Sequence, residues 1–69
     1  MMDYRRRLRD LREDSDITQE EIANILGTSQ TMYSHYERGE SELPIRYLLT
    51  LCEYYHVSAD YLLGRSNEK

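Results

Sequence analysis

Aromatic residues other than tyrosine are missing from this sequence, which has neither tryptophan nor phenylalanine but contains seven tyrosines. It also contains only one cysteine, one proline and three glycines among its 69 residues. A single cysteine excludes a disulfide framework within the chain and argues against a metal cluster. Cys52 lies in the apolar run YLLTLCEYY, where we expect a small buried side chain rather than a reactive thiol. We therefore expect neither a metal nor a cofactor.

Long apolar segments are also missing. No stretch approaches the roughly 20 residues that a membrane-spanning helix needs. The N-terminal residues MMDYRRRLRDLRED lack the apolar segment of a secretion signal. We therefore expect a cytoplasmic protein with no membrane partner. A chain of 69 residues has room for one domain, which we place at residues 1–65, followed by a short tail at residues 66–69.

Basic charge is in deficit: nine lysines and arginines stand against thirteen aspartates and glutamates, for a net charge of −4. A nucleic-acid-binding domain ordinarily has a basic excess. Net charge, however, says little about a local surface, and arginines crowd the N-terminal segment at Arg5, Arg6, Arg7, Arg9 and Arg12. Composition therefore does not exclude DNA binding. Three consecutive helical residues cannot all face one way, so we expect at least one of the first three arginines in solvent.

Five short helices and no strand are predicted from the spacing of apolar residues and from helix stop signals, so the predicted fold class is all-α. The first helix runs from an Asp3 cap to about Asp14 and buries Tyr4, Leu8 and Leu11. The fourth begins near Pro44, and its buried residues are predicted to be Leu48, Leu51, Cys52 and Tyr55. The fifth is short, with a Ser58 cap and a stop at Gly64.

The second and third helices are predicted to form a helix-turn-helix at about residues 18–38. In ITQEEI, Thr18 and Glu21 match a capping box that starts the second helix. Gly27 ends this helix, and only Thr28 separates it from Ser29, the predicted cap of the next. Helices joined by so short a turn must cross steeply, and the first residues of the second one can then reach the DNA major groove. The predicted core residues of the second helix are Ile22, Ile25 and Leu26.

Polar side chains share one face of the third helix, in the stretch TSQTMYSHYERG. Spacings of three and four residues place on this face Gln30, Thr31, Ser34, His35 and Arg38. Gln can bond adenine at two points, and Thr offers a hydroxyl to a base or a methyl to thymine. His35 suits a base edge or a phosphate, whereas Ser34 and Arg38 suit phosphates. The alternatives that Gln30 and Thr31 are ordinary polar residues, and that His35 is simply solvent-exposed, stay open.

The run ITQEEIANILGTSQTMYSHYERG, followed by VSADYLLG at residues 57–64, resembles the lambda-repressor-like, Cro/XRE-type helix-turn-helix family. The resemblance implies a compact five-helix fold. It also implies sequence-specific binding to double-stranded DNA, usually by a homodimer on a pseudo-palindromic operator. Base-contacting positions of the family are matched by Gln30, Thr31 and His35.

The resemblance also implies roles for residues outside that face. Ser29, Arg38 and Arg46 match positions that commonly touch the DNA backbone. Gln19 would hold a phosphate and brace Gln30. The family's structural ion pair between the first and third helices is matched by Arg12 and Glu37.

The loop GESEL after the third helix departs from the family pattern. It carries Glu40 and Glu42 where the family often has lysine or arginine, and these carboxylates would repel phosphates. Two functions therefore remain open: a repressor-like transcriptional regulator, and a protein-interaction module of the antitoxin or repressor-antagonist type that binds a partner protein through its acidic surface. An enzyme is not expected, because no catalytic set of residues or phosphate-binding loop is recognisable.

The end of the fifth helix predicts a dimer contact. Tyr61, Leu62 and Leu63 are consecutive and cannot all face a core of this size. We therefore expect Leu63, with part of Tyr61, to contribute to a two-fold contact between two copies of the chain.

Overall fold

A computed structural model describes residues 3–69, in which five helices follow one another in the predicted order. They are α1 (Tyr4–Asp14), α2 (Gln19–Leu26), α3 (Gln30–Arg38), α4 (Ile45–Tyr55) and α5 (Ala59–Leu62). Every regular element within these residues is helical, which confirms the predicted all-α fold class. No helix in the described part of the chain is long and apolar enough to span a membrane.

Side chains set the starts of four of the five helices by capping. Thr18 and Glu21 form the predicted capping box at α2, with each side chain bonded to the other residue's backbone N–H. The other caps, each accepting a hydrogen bond from a backbone N–H in the first turn, are Asp3, Ser29 and Ser58. A cap of this kind contributes about 1 kcal/mol. The start of α3 is therefore set by the Ser29 cap.

The turn between α2 and α3 depends on a glycine. Gly27 ends α2 with a φ of 80°, a left-handed conformation that a β-carbon would strain. Its backbone N–H bonds back to the carbonyls of Ala23 and Asn24. Because the backbone leaves the right-handed helical conformation at Gly27, α2 ends there and α3 starts three residues later in a new direction.

Residues from all five helices and from the α4–α5 loop form one core. Tyr33 and Tyr36, both on α3, are buried in it, and their rings make an edge contact with centroids 6.4 Å apart. Tyr36 makes a second edge contact, at 6.0 Å, with Tyr47 of α4. Aromatic pairs of this geometry stabilise a core beyond their buried area. The tyrosines thus anchor one side of α3 while leaving its other side outside the core.

The predicted core of α2 is wrong at one residue: Ile25, predicted to be buried, is 43% exposed. The residues that α2 buries are Ile22, Ala23 and Leu26. Once Ala23 is included, the buried face is centred about 100° around the helix from Ile25. The prediction for α4 was also too broad: of its predicted core residues only Leu51 is fully enclosed, and the others are partly buried against the core.

Two features of the chain ends were not predicted. Arg7 is 5% exposed, and its guanidinium carbon lies 3.8 Å from the ring centroid of Tyr61, whereas Arg6 is in solvent as expected for one of the three arginines. In the segment predicted to be a tail, the Lys69 carbonyl accepts a hydrogen bond from the Ser58 backbone N–H at 2.9 Å. Residues 66–69 therefore fold back to the start of α5.

Candidate nucleic-acid interface

The polar face of α3 lies outside the core. Its first residues, Gln30 and Thr31, are exposed, Ser34 and His35 are half-buried, and Arg38 is exposed. The opposite side of the helix packs against α1 and α2. The structure therefore brings these five polar side chains to one outer surface, as their spacing predicted.

The N-terminus of α3 adds hydrogen-bond donors to this surface. The Ser29 hydroxyl oxygen accepts a hydrogen bond from the Met32 backbone N–H at 3.1 Å. Because the oxygen is the acceptor in this contact, the hydroxyl hydrogen stays available to a ligand. The positive end of the helix dipole also lies here and favours anions.

Arg12 and Glu37 form an ion pair between α1 and α3. Arg12 Nε lies 2.8 Å from Glu37 Oε2, and Arg12 Nη2 donates to Glu37 Oε1 at 3.4 Å. The two side chains are only 14% and 4% exposed. Arg12 Nη1 also donates to the Ile17 carbonyl at 3.1 Å, which ties the α1–α2 loop to the same guanidinium. Burial, and after it the Glu37 carboxylate, raise the pKa of the nearby Tyr33 hydroxyl.

Hydrogen bonds continue from this ion pair to the surface through two glutamines. Gln19 Nε2 donates to Glu37 Oε1 at 3.2 Å, and Gln30 Nε2 donates to Gln19 Oε1 at 3.3 Å. Gln19 therefore braces Gln30, the first residue of α3. The sequence predicts the ion pair and the glutamine contact separately, but it does not predict the bond between Gln19 and Glu37 that joins them.

The acidic loop after α3 contacts two of the polar residues on α3. Glu40 Oε1 lies 2.8 Å from Arg38 Nη2 and 3.8 Å from His35 Nε2. From the sequence we expected this carboxylate to repel phosphates, but the sequence did not predict its ion pair with Arg38. The pair is more than half exposed on both sides, so solvent weakens it and an anion can compete for Arg38.

Arg46 lies on a second element beside the turn. Its guanidinium carbon is 4.6 Å from the ring centroid of Tyr47, and its Nη2 donates to the Tyr47 hydroxyl at 3.4 Å. The hydrogen bond from Arg46 lowers the pKa of the Tyr47 hydroxyl, and one with Thr28 lowers it further. Thr28 belongs to the α2–α3 turn, so Arg46 stands next to the helix-turn-helix.

The residues predicted to form a dimer contact differ in their surroundings. Tyr61 is half-buried, and the Arg7 guanidinium covers one face of its ring. Leu63 is also half-buried, but it borders a cavity of about 210 Å³ whose other lining residues are Tyr4, Glu42, Leu43 and Leu48. Leu63 therefore borders an open cavity, whereas Tyr61 packs against the Arg7 side chain.

Two helices joined by a glycine turn, the second with a polar outer face, define a helix-turn-helix domain. The helix-turn-helix family model matches residues 8–62, and the chain belongs to this family, in its Cro/C1-type branch. Over 65 residues it is 35% identical to the HTH-type transcriptional regulator YobD of Bacillus subtilis, covering 94% of this chain and 58% of YobD. The antitoxin PezA of Streptococcus pneumoniae is 33% identical over 57 residues, covering 83% of this chain and 36% of PezA.

Among solved structures, the fold resembles that of the P22 c2 repressor protein in complex with a synthetic operator. The TM-score is 0.84 at 30% sequence identity, and the match covers 96% of this chain and all of that one. The chain spans between about one third and three fifths of the length of the two curated relatives named here. The likeness therefore concerns this domain and not the remaining parts of those proteins.

Proposed function

We propose that the chain is a sequence-specific, repressor-like transcriptional regulator that places α3 in the major groove of double-stranded DNA. One observation carries the proposal: Gln30 is exposed at the first position of α3 and is held there by Gln19. In helix-turn-helix proteins the first residues of the second helix contact base edges. The likeness to a repressor bound to its operator supports the same function.

The proposed contacts divide into bases and backbone. Gln30, Thr31 and His35 would contact bases, since they lie on the outer side of the first two turns of α3. Phosphates would be held by Gln19, Ser29, Ser34, Arg38 and Arg46. Gln19 keeps one N–H after donating to Glu37, and Ser29 keeps its hydroxyl hydrogen, so both have a donor for a phosphate oxygen.

The proposed assembly on DNA is a homodimer. Two copies of α3 placed about 34 Å apart would enter successive major grooves on one side of a pseudo-palindromic operator. Leu63, beside its cavity, and part of Tyr61 would form the two-fold contact. Because this contact is small, we expect the dimer to form chiefly on DNA.

A second proposed function is favoured by two observations. Glu40 neutralises Arg38 on the surface that would face DNA, and one relative is an antitoxin. In this alternative the acidic surface around Glu40 and Glu42 binds a basic partner protein, and α3 contacts no specific DNA sequence.

Selection from random duplex DNA at low salt separates the two functions. We expect one sequence to be enriched, and we expect Gln30→Ala to lose about 1–3 kcal/mol of binding on that sequence but little on random DNA. Asn24→Ala is the matched control, because it removes an exposed amide from α2 rather than α3. Enrichment of no sequence, together with equal DNA affinity for the parent and Gln30→Ala, would favour the partner-protein function.

A further inference from the structure

A buried charge is connected to the exposed start of α3 by two glutamine side chains. Glu37, 4% exposed and held by Arg12, accepts a hydrogen bond from Gln19 Nε2 at 3.2 Å. Gln19 Oε1 in turn accepts one from Gln30 Nε2 at 3.3 Å. The hydrogen-bonded series therefore ends on a carboxylate inside the protein and on an amide at its surface.

The carboxylate determines how both amides are oriented. An ionised carboxylate only accepts hydrogen bonds, so Gln19 must turn its NH2 group to Glu37 and its carbonyl to Gln30. A carbonyl oxygen also only accepts, so Gln30 must turn its NH2 group to Gln19. One N–H and the carbonyl oxygen of Gln30 then remain for a ligand. If Gln19 were reversed, Gln30 would accept from it and would keep both N–H groups free.

These two orientations of Gln30 suit different bases. In the major groove adenine presents an acceptor, N7, and a donor, the N6 amino group, whereas guanine presents two acceptors, N7 and O6. The orientation in the structure matches adenine, and it would set the Gln30 carbonyl against guanine O6. We infer that Glu37 is a positioning residue that makes Gln30 select adenine over guanine. This inference rests on the proposed function, in which Gln30 contacts a base.

Two variants test whether the carboxylate orients the glutamines, separately from its contribution to stability. Glu37→Gln keeps the size of the side chain but lets either its oxygen or its NH2 group face Gln19, so residue 37 no longer dictates how the Gln19 amide is turned. We expect the preference for adenine over guanine to fall about fivefold or more at the base pair that Gln30 contacts. Adding Gln19→Glu to Glu37→Gln exchanges the amide and the carboxylate. The new carboxylate should weaken binding to both duplexes alike, because Gln19 would otherwise hold a phosphate. Position 19 again only accepts, so the ratio that measures the adenine preference should return although the ion pair between Arg12 and residue 37 is still lost.

A third variant covers the case in which Glu37→Gln does not fold. Gln19→Ala changes a half-buried side chain, leaves the ion pair in place and releases Gln30, so it should also lower the adenine preference. A purely structural role for Glu37 would instead weaken binding to both duplexes by the same factor.

For each variant we measure the affinity for two duplexes, one with an A·T pair and one with a G·C pair at a single position, and take the ratio of the two affinities. The conditions are those under which circular dichroism shows every variant to be folded. Gln30→Ala first identifies the position, as the base pair at which it removes the preference. An unchanged ratio in Glu37→Gln or in Gln19→Ala overturns the inference. A ratio that stays low in the double variant, in which amide and carboxylate are exchanged, overturns it as well. Neither outcome contradicts the proposed function. A Gln30→Ala variant that relaxes no base pair overturns both.

Discussion

Glu40 Oε1 lies 2.8 Å from Arg38 Nη2, so the first residue after the Gly39 cap of α3 neutralises the last residue of that helix. If Arg38 binds a phosphate, this pair must break first. We therefore predict that Glu40→Gln strengthens binding to all DNA sequences alike and steepens the salt dependence by about one phosphate contact. Arg38→Ala made in the Glu40→Gln variant should flatten the salt dependence again by the same amount.

Glu42→Gln is the control for this prediction, because it removes the same charge from the same loop at an exposed residue. It should strengthen binding less and leave the salt slope nearer to that of the parent. Equal effects of the two substitutions in a salt titration would mean that Glu40 acts through long-range repulsion and not by occupying Arg38.

The Arg12–Glu37 ion pair is predicted to carry much of the stability of the domain. Glu37→Ala leaves the Arg12 guanidinium in a largely buried site without its partner, which should cost about 3–5 kcal/mol. A domain of 69 residues has a free energy of unfolding of roughly 3–10 kcal/mol in total. Glu13→Ala, which breaks the exposed Arg9–Glu13 pair of α1, should cost less than about 1 kcal/mol. Urea denaturation of the two variants would contradict the prediction if it found equal losses.

Alkaline pH is predicted to unfold the protein through its buried tyrosines. Burial raises the pKa of the Tyr33 hydroxyl, with a further contribution from Glu37, so the folded protein keeps a proton that the unfolded chain loses at about pH 10. The stability that Tyr33 contributes is therefore fully present below pH 10 and is lost as the pH rises above it. Burial also raises the pKa of the Tyr55 hydroxyl, so Tyr55 adds to the same loss of stability at alkaline pH.

Tyr33→Phe tests this pH dependence. Above about pH 10 its free energy of unfolding should fall less steeply than that of the parent, by up to roughly 1.4 kcal/mol per pH unit. The free energy is measured in urea from pH 8 to 11, and the value at pH 8 corrects for the lost hydroxyl. Parallel curves for the parent and Tyr33→Phe would show that Tyr33 does not resist deprotonation.

Leu63 is predicted to join two copies of the chain on DNA. Leu63→Asp adds a second carboxylate to the cavity lined by Tyr4, Leu48 and Glu42, and it should abolish cooperative binding to a two-half-site operator. Binding to an isolated half-site should not change. Ile25→Asp, an exposed apolar residue of α2, is the control and should keep cooperativity. Cooperative binding by Leu63→Asp in a gel-shift titration would place the dimer contact elsewhere.

Local chemistry explains why the helices were predictable from the sequence. The caps at Thr18, Ser29 and Ser58 and the left-handed Gly27 each depend on residues within one helical turn, so their positions follow from short motifs. The polar outer face of α3 follows equally from the spacing of its residues.

The features that could not be predicted depend on contacts between distant parts of the chain. Arg7 looks like one residue of a solvated arginine run, but α5 brings the Tyr61 ring against it. The bond between Gln19 and Glu37 joins residues 18 positions apart, and only the packing of α2 against α3 reveals it. The pairing of Glu40 with Arg38 requires the loop to turn back at Gly39, and the sequence pattern shows only that the loop is acidic.

The division of α3 into a buried tyrosine side and an outer polar side has a consequence for changing target specificity. Thr31 and His35 take no part in the core and are not hydrogen-bonded to Glu37, so each can be exchanged by itself while Tyr33 and Tyr36 keep the helix in place. Gln30 is different, because its amide is matched to that of Gln19. A library that seeks new targets should therefore vary positions 31 and 35 freely but randomise positions 19 and 30 together.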